Sequence, residues 1–504
     1  MKKLPYDDSS PRDILRYAKN LIGLRFVDVL SNNIEDSNGS FFQEEVVSYN
    51  NPRKKGSLGN LLEEHYFFYK PNSSPEPDFY KAGVELKTTP YEKTKKGLKA
   101  GERLVISMIP NYEPIDLEFE GSHLEKKICK ILMVWYHRLK GQPRIENEID
   151  FVNLYELYSE LCEKDLDIIL EDYKTIVEKV VSGNAHKLSE SDTKYLGACT
   201  KGTTAKKSLQ PQYYNPEIPA KRRAFSFKQS YMTYVLNSYV KPGLMSYDSI
   251  FGKEDLKEGN FDSKVLAKIA KYKGYSVENL CKLFNLPTEN TSKQINKTLV
   301  NRILGVQTEN SEEFEKANIV IKTIRLQKNG KPRESMSFPK VNIKDFVQQD
   351  FENSYEYEFF ESTRFLFVVF KENKDGEYIL AGCKFWNMPI DELETIGQNE
   401  WNSYKKKFID GVKFSLRRQK DGKPIIKNDL PKKTDTVIFH MRPHASKSAY
   451  VINGKRYGNG KDNDMDELPN GDKMTSQCFW LNNDYIAKIV SDIWGEIENR
   501  WNWQ

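Results

Sequence analysis

Cysteine and histidine are scarce in this chain: its 504 residues include six of each. Cys129, Cys162, Cys199, Cys281, Cys383 and Cys478 form no CxxC pair. Their scatter argues against a zinc site or a disulfide framework and for a reducing, cytoplasmic setting. His65, His123, His137 and His186 show no HxxxH or HxH spacing. His440 and His444 flank Arg-Pro on a predicted strand, a poor arrangement for a metal pair. No run of about 18 apolar residues occurs, and the segment from Met1 to Asp13 has no apolar signal core. The expectation is a soluble protein that is not exported and does not contact a membrane. Neither GxxxxGK[ST] nor GxGxxG is present, so nucleotide hydrolysis has no support.

What is present fits a globular chain of about two to four domains. Hydrophobic residues make up 38% and aromatics 12%, too many for a disordered protein. The net charge of +5 permits a polyanionic partner without requiring one. Ser9 or Ser10 is placed to cap a helix opening at Pro11. Leu58–Tyr69 reads as a second helix, preceded by the basic run at 53–56. KILMVWYH (130–137) reads as an apolar strand, and 103–109 as the partner strand of the segment described next. Residues 151–188 read as mostly helical. Residues 194–207 read as a strand ending in a small, basic loop.

The stretch DFYKAGVELKT, Asp78 to Thr88, carries the chemistry. Val84, Leu86 and Thr88 alternate with Glu85 and Lys87, as in a strand. Glu85 and Lys87 then share one face, and Asp78 joins them from the turn before. Two carboxylates suit Mg²⁺, a hard cation that prefers oxygen ligands. An adjacent lysine can orient or deprotonate an attacking water. Alone, such a triplet also describes many surface strands.

A repeat changes its weight. Residues 264–280 resemble 14–30, 297–304 resemble 56–63, and 313–323 resemble 78–88. Likewise 364–370 resemble 130–136, 440–447 resemble 197–204, and 478–490 resemble 224–236. Six matches in one order indicate a duplicated domain. In the second copy Val320 replaces Glu85, Leu304 replaces Glu63, and Glu313 stands opposite Asp78. Only Lys322 remains, opposite Lys87. The first copy is therefore expected to hold metal and the second is not.

The first copy resembles the MutH-like endonucleases through KGSLGNLLE (55–63), DFYKAGVELKT (78–88), SHLEKKICKILMV (122–134), YLGACTKGTTAK (195–206) and FSFKQSYMTYVL (225–236). AGVELK, RLVISMI, LSESDTKYLGACTKG, KRRAFSFKQSYMT, STRFLFVV and RPH…FWLNNDYI extend the likeness over nearly the whole chain, to the two-domain type II restriction enzymes of that family. The resemblance implies an α/β fold of two tandem restriction-endonuclease-like domains, each a mixed sheet flanked by helices. It divides the chain into a catalytic domain (1–240), a linker (241–261) and a non-cutting, DNA-binding, regulatory domain (262–504). It implies Mg²⁺-dependent hydrolysis of double-stranded DNA at 5′-GATC-3′.

By the same resemblance Asp78, Glu85 and Glu63 match metal-site carboxylates and Lys87 the catalytic lysine. Lys127, or Lys126 beside it, falls opposite another active-site lysine. Lys55, Lys201 and Lys228 match DNA-facing lysines, and Lys206 and Lys207 add charge to the Lys201 loop. Cys199 and Thr200 stand where the family has arginine and proline. The second copy keeps Arg442 and Pro443, with His444 in the lysine's place. A monomer that pairs on DNA and a cognate DNA methyltransferase as genetic partner complete the expectation. The alternatives are a MutH-like strand nickase and a non-cutting GATC-binding regulator.

Overall fold

Every residue from Ile131 to Trp135 is fully buried, so the strand that holds them must be covered on both faces and paired on both edges. In the computed structural model this strand is the centre of the first of two units. The structure describes residues 4–33, 40–51, 56–71, 74–95, 97–139, 141–202, 208–243, 245–252, 260–288, 294–308, 311–418 and 424–493. One unit comprises Met1–Phe261 with Asn310–Ile319; the other comprises Asp262–Glu309 with Val320–Gln504. Among the described residues no helix is long and apolar enough to cross a membrane.

The first unit opens with helix Pro11–Ala18, whose first turn is capped by the Ser10 hydroxyl accepting from the Asp13 N–H. Helices Phe26–Asn33, Ser40–Asn50 and Ser57–His65 follow. Strand β1 (Glu85–Thr94) runs parallel to β4 (Lys130–His137), with Glu85 opposite Ile131 and Lys87 opposite Met133. β2 (Gly97–Ala100) folds back on the far edge of β1, and β5 (Ile149–Glu156) closes the sheet beside β4, giving the order β2-β1-β4-β5. A second sheet, β3-β9-β6, contains β3 (Leu104–Met108), β6 (Leu196–Thr200) and β9 (Arg223–Phe227), all antiparallel. A two-residue pair, β7 (Leu209–Gln210) and β8 (Ala220–Lys221), lies between β6 and β9 in the chain.

Two expectations are corrected here. Segment 103–109 does not pair with β1, which has β4 along Glu85–Tyr91 on one edge and β2 along Tyr91–Thr94 on the other; β3 pairs with β9 instead. Residues 149–156, which overlap the start of the segment 151–188 expected to be helical, form β5 and pair with β4 on its second edge. The helix proper is Glu163–Val181.

The second unit repeats the plan. β10 (Ile319–Leu326), β12 (Arg364–Glu372) and β13 (Tyr378–Asn387) form one sheet in the order β10-β12-β13. β11 (Met336–Lys340), β16 (Phe439–Pro443) and β21 (Gln477–Leu481) form another, in the order β11-β21-β16. The correspondence reaches single hydrogen bonds. Gly23 (φ +87°) donates to Ile149 O at 2.8 Å, and Gly274 (φ +92°) donates to Leu380 O at 2.8 Å. The Asp172 carboxylate accepts the N–H groups of Lys194, Tyr195 and Leu196 ahead of β6. Glu400 accepts those of Val437, Ile438 and Phe439 at the start of β16. This unit adds a hairpin, β14 (Phe414–Arg418) with β15 (Pro424–Asn428), and a small sheet of four strands within 449–475.

The chain is not divided in simple succession. Helix Glu312–Ala317 belongs to the first unit although its sequence lies in the second repeat. Its Lys316 ammonium pairs with Asp165 at 2.6 Å, the two side chains being 2% and 1% exposed. Its Glu313 carboxylate accepts the N–H groups of Ile250 and Phe251 and the Ser249 hydroxyl. Part of the expected linker is thus packed: Ile250 and Phe251 are buried.

Candidate active site

A tight turn delivers the first carboxylate. Phe79 and Val84 exchange backbone hydrogen bonds of 2.9 and 3.3 Å, and Gly83 takes the left-handed conformation (φ +64°) that closes the loop. Asp78 is thereby folded back over the start of β1, where its Oδ2 accepts the Leu86 N–H at 2.8 Å. Glu85 is buried, 2% exposed, and Lys87 Nζ lies 2.5 Å from its Oε1. Lys127 comes from helix His123–Ile128, capped by Ser122, and its Nζ lies 3.4 Å from both Glu85 oxygens. Lys126 turns elsewhere and pairs with Glu76 at 3.0 Å, so Lys127 is the lysine that reaches the cluster.

Glu63 enters from helix Ser57–His65. Burial first, and then the negative charge of Asp78, push its carboxyl up to about 7. Asp78 is raised for the same two reasons, burial and then the charge of Glu85, with Lys87 and the Leu86 N–H pulling the other way. Tyr69, six residues beyond Glu63, donates its backbone N–H to Glu63 O at 2.9 Å. Its hydroxyl is buried, has no hydrogen-bond partner among the described residues, and lies in the field of Asp78, Glu63 and Glu85. Sequence reasoning missed this residue. The helix ends at His65, short of the Tyr69 expected from the sequence, and no motif marks Tyr69.

Among the described residues no three His, Cys, Asp or Glu side chains stand ready to ligate a metal, and the two lysines engage Glu85. The donor set nevertheless fits a hard divalent cation. It offers only oxygens, and burial together with neighbouring negative charge raises Glu63 and Asp78.

The chain is 36% identical over 466 residues to the type II restriction enzyme Sau3AI of Staphylococcus aureus, covering 88% of this chain and 93% of that one. The chain belongs to the Sau3AI family of type II restriction enzymes. Members of this family are site-specific deoxyribonucleases. A family model described as DNA mismatch repair enzyme MutH matches residues 67–172, which include Asp78, Glu85, Lys87 and Lys127. The DNA mismatch repair protein MutH of Vibrio campbellii is 25% identical over 232 residues, 46% of this chain and 94% of its own. That of Escherichia coli O6:K15:H31 is 28% identical over 161 residues, 32% of this chain and 67% of its own. The Sau3AI likeness thus takes in both repeats, whereas the MutH likeness is confined to less than half of the chain.

The remaining candidates in this restriction-enzyme chain are dispersed. Lys55, Lys206 and Lys207 lie outside the described residues. Lys201 is half-buried just past β6, its N–H on Arg222 O at 2.8 Å. Lys228 is corrected: it is 1% exposed, its ammonium donates to Thr193 O, and its charge faces Asp172. Asp172 is buried while organising the approach to β6, and a buried carboxylate needs a countercharge; Lys228 is an internal strut. Arg442 is exposed, with its guanidinium 5.1 Å from the centre of the Trp480 ring. His444 is exposed, its N–H on Ser476 O at 2.7 Å and its Nδ1 3.3 Å from Cys478 Sγ.

Proposed function

We propose that the chain cuts both strands of duplex DNA at 5′-GATC-3′ by Mg²⁺-dependent phosphodiester hydrolysis, with catalysis in the first copy (1–240) and a non-cutting, DNA-binding, regulatory role for the second (262–504). The observation that carries this reading is the asymmetry of one shared scaffold. Asp78, Glu85, Lys87 and Lys127 meet in the first unit. In the second, Val320 packs against the apolar core and Leu304 is 1% exposed.

Asp78, Glu85 and Glu63 are the residues that would hold the cation. Mg²⁺, when bound, neutralises the scissile phosphate and acidifies the attacking water. Lys87 and Lys127 fix the Glu85 carboxylate between them and bring positive charge to the side where the phosphoryl oxygens gain negative charge. Lys87, on the same face of β1 as Glu85, orients the water for in-line attack. Tyr69 supplies a hydroxyl donor from the protein side. The GATC site is supported by the whole-chain likeness to the two-domain enzymes of this family. With one metal-competent copy per chain, cutting two strands calls for two chains, so a monomer in solution pairs on the DNA. A host using such a cytoplasmic enzyme needs a cognate DNA methyltransferase to shield its own sites.

The deciding experiment incubates an unmethylated supercoiled plasmid with the protein and Mg²⁺ and sequences the ends. Linear product with ends at GATC is expected. Nicked circles alone would make the chain a strand nickase; specific binding without cutting would make it a regulator.

A further inference from the structure

Between helix Glu163–Val181 and β6 the first unit uses residues 182–195, which form two short 3-10 turns. Between helix Gln398–Asp410 and β16 the second unit uses residues 411–438, twice as many, and builds the hairpin β14–β15 from them. A two-stranded ribbon alone is marginal in water, so its root must be held. Phe414 and Ile426 share one face of the ribbon and pack against the core of the unit, and the Phe414 ring lies 5.7 Å from that of Tyr450. Tyr450 follows Ala449, whose N–H donates to the Thr475 hydroxyl at 2.9 Å. The next residue, Ser476, accepts the His444 N–H at 2.7 Å. The hairpin is therefore rooted beside the segment that carries Arg442 and His444.

Beyond its root the ribbon is cationic and bare. Arg417, Arg418 and Lys427 are exposed, and neither strand contains an acidic residue. Among the described residues none of these three has an ion pair. Cations close by in the chain do: Lys406 pairs with Asp410 and Lys407 with Asp429, each at 2.6 Å. Consecutive strand residues point to opposite faces. Arg417 thus shares a face with Lys427, and Arg418 takes the other. Charge on an unpaired strand edge also guards against self-association. Either sign serves that end, and the chain has 77 basic and 72 acidic residues to draw on. Charge of one sign on both faces, without a partner in the protein, matches a polyanion that passes on both sides. Each groove of duplex DNA lies between two phosphate backbones, and the major groove admits a two-stranded ribbon.

We propose that the hairpin β14–β15 is a DNA-gripping ribbon that enters the major groove beside the Arg442–His444 segment, with Arg417 and Lys427 toward the phosphates of one wall and Arg418 toward those of the other. This rests on the reading of the second copy as DNA-binding. The ribbon supplies affinity and position and carries no base information.

The test uses the full chain without divalent metal, so that DNA is bound and not cut. Fluorescence anisotropy follows binding to a GATC duplex and to a duplex lacking GATC across a salt series. All three side chains are exposed, so the triple variant Arg417→Gln, Arg418→Gln, Lys427→Gln keeps the fold, checked by an unchanged thermal melt. It is expected to weaken binding on the order of 10-fold on both duplexes and to lower the salt slope by about two to three. Arg417→Gln and Arg418→Gln alone should each lower it by about one, whereas Arg417→Lys with Arg418→Lys keeps the parent slope. An unchanged slope in the triple variant overturns the ribbon. If Arg442→Glu still weakens binding in that case, the DNA-binding reading of the second copy stands; if it does not, that reading falls as well. Loss on the GATC duplex alone, or an effect of one arginine without the other, overturns the two-walled phosphate contact. Equal loss on a single-stranded oligonucleotide of the same length assigns the ribbon to any polyanion and overturns the groove.

Discussion

Gly23 and Gly274 make the same turn and the same 2.8 Å bond to a neighbouring strand, and Asp172 and Glu400 gather three successive N–H groups in the same way. The two units therefore share their backbone solution in detail. They part at the few side chains that meet at the start of the leading strand. The first unit keeps Asp78, Glu85 and Glu63 there and tolerates the strain of their mutual repulsion. The second has Val320 and Leu304 at two of those places, and the glutamate opposite Asp78, Glu313, has become a backbone cap within the first unit. Scaffold and site respond to separate demands. Turns and strand order persist because every buried N–H still needs an acceptor. The carboxylates at the start of the leading strand are kept in one unit and replaced in the other.

The largest expected effect tests that division directly. Glu85→Gln should lower cleavage on the order of 10³-fold or more, several kcal/mol of lost transition-state stabilisation, while DNA affinity measured without metal stays near that of the parent. Adding Val320→Glu to this variant should not restore cutting, because the counterpart of Asp78 is committed elsewhere; recovered activity would erase the distinction between the units. Next comes the pair that ties helix Glu312–Ala317 into the first unit. Lys316→Ala leaves Asp165 buried with the Tyr231 and Tyr239 hydroxyls but without its countercharge and should destabilise that unit by about 3–5 kcal/mol, read in urea unfolding, whereas Lys316→Met with Asp165→Leu should lose far less.

Lys127→Ala should slow cleavage on the order of 10²-fold and Lys126→Ala hardly at all, measured in single-turnover assays; equal effects would mean that contact with Glu85 is not what matters. His440 offers a contrast in pH response. It occupies the place of Gly197, is 1% exposed, and burial draws its imidazole down to about 4. A folded value below the unfolded one gives stability that is complete above about pH 6.5 and lost as pH falls towards 4. The second unit should lose about 1–2 kcal/mol between pH 7 and pH 5, and His440→Gln should flatten that dependence in thermal melts. The smallest effect belongs to Tyr69→Phe. It should lower kcat a few-fold with KM unchanged, since only a hydroxyl facing the carboxylates is removed.

Much of this was legible in the chain itself. The apolar run 130–137 is β4 residue for residue, and the alternation through Glu85 and Lys87 marks β1. The duplication was readable because side-chain volume is preserved where cores must pack. Strand pairing was less accessible. The segment 103–109 looks like a partner for β1, and nothing local records that β9, more than a hundred residues on, is its partner. Lys228 illustrates a different limit. The resemblance places it with DNA-facing lysines, and only the fold reveals Asp172 behind it. Tyr69 has no motif, and its role depends on where its hydroxyl ends up.

The chain enters the second unit after Phe261, returns for Asn310–Ile319, and leaves again. Asp165 and Lys316 are 151 residues apart. At about 5–20 residues per second, a ribosome needs roughly 8–30 s to supply the partner. Through that interval the half that carries Asp78 and Glu85 is on the nascent chain with a hole in its charge balance. Assembly of the first unit is thereby timed by the arrival of the downstream sequence, and a message broken before residue 316 leaves that unit unfinished.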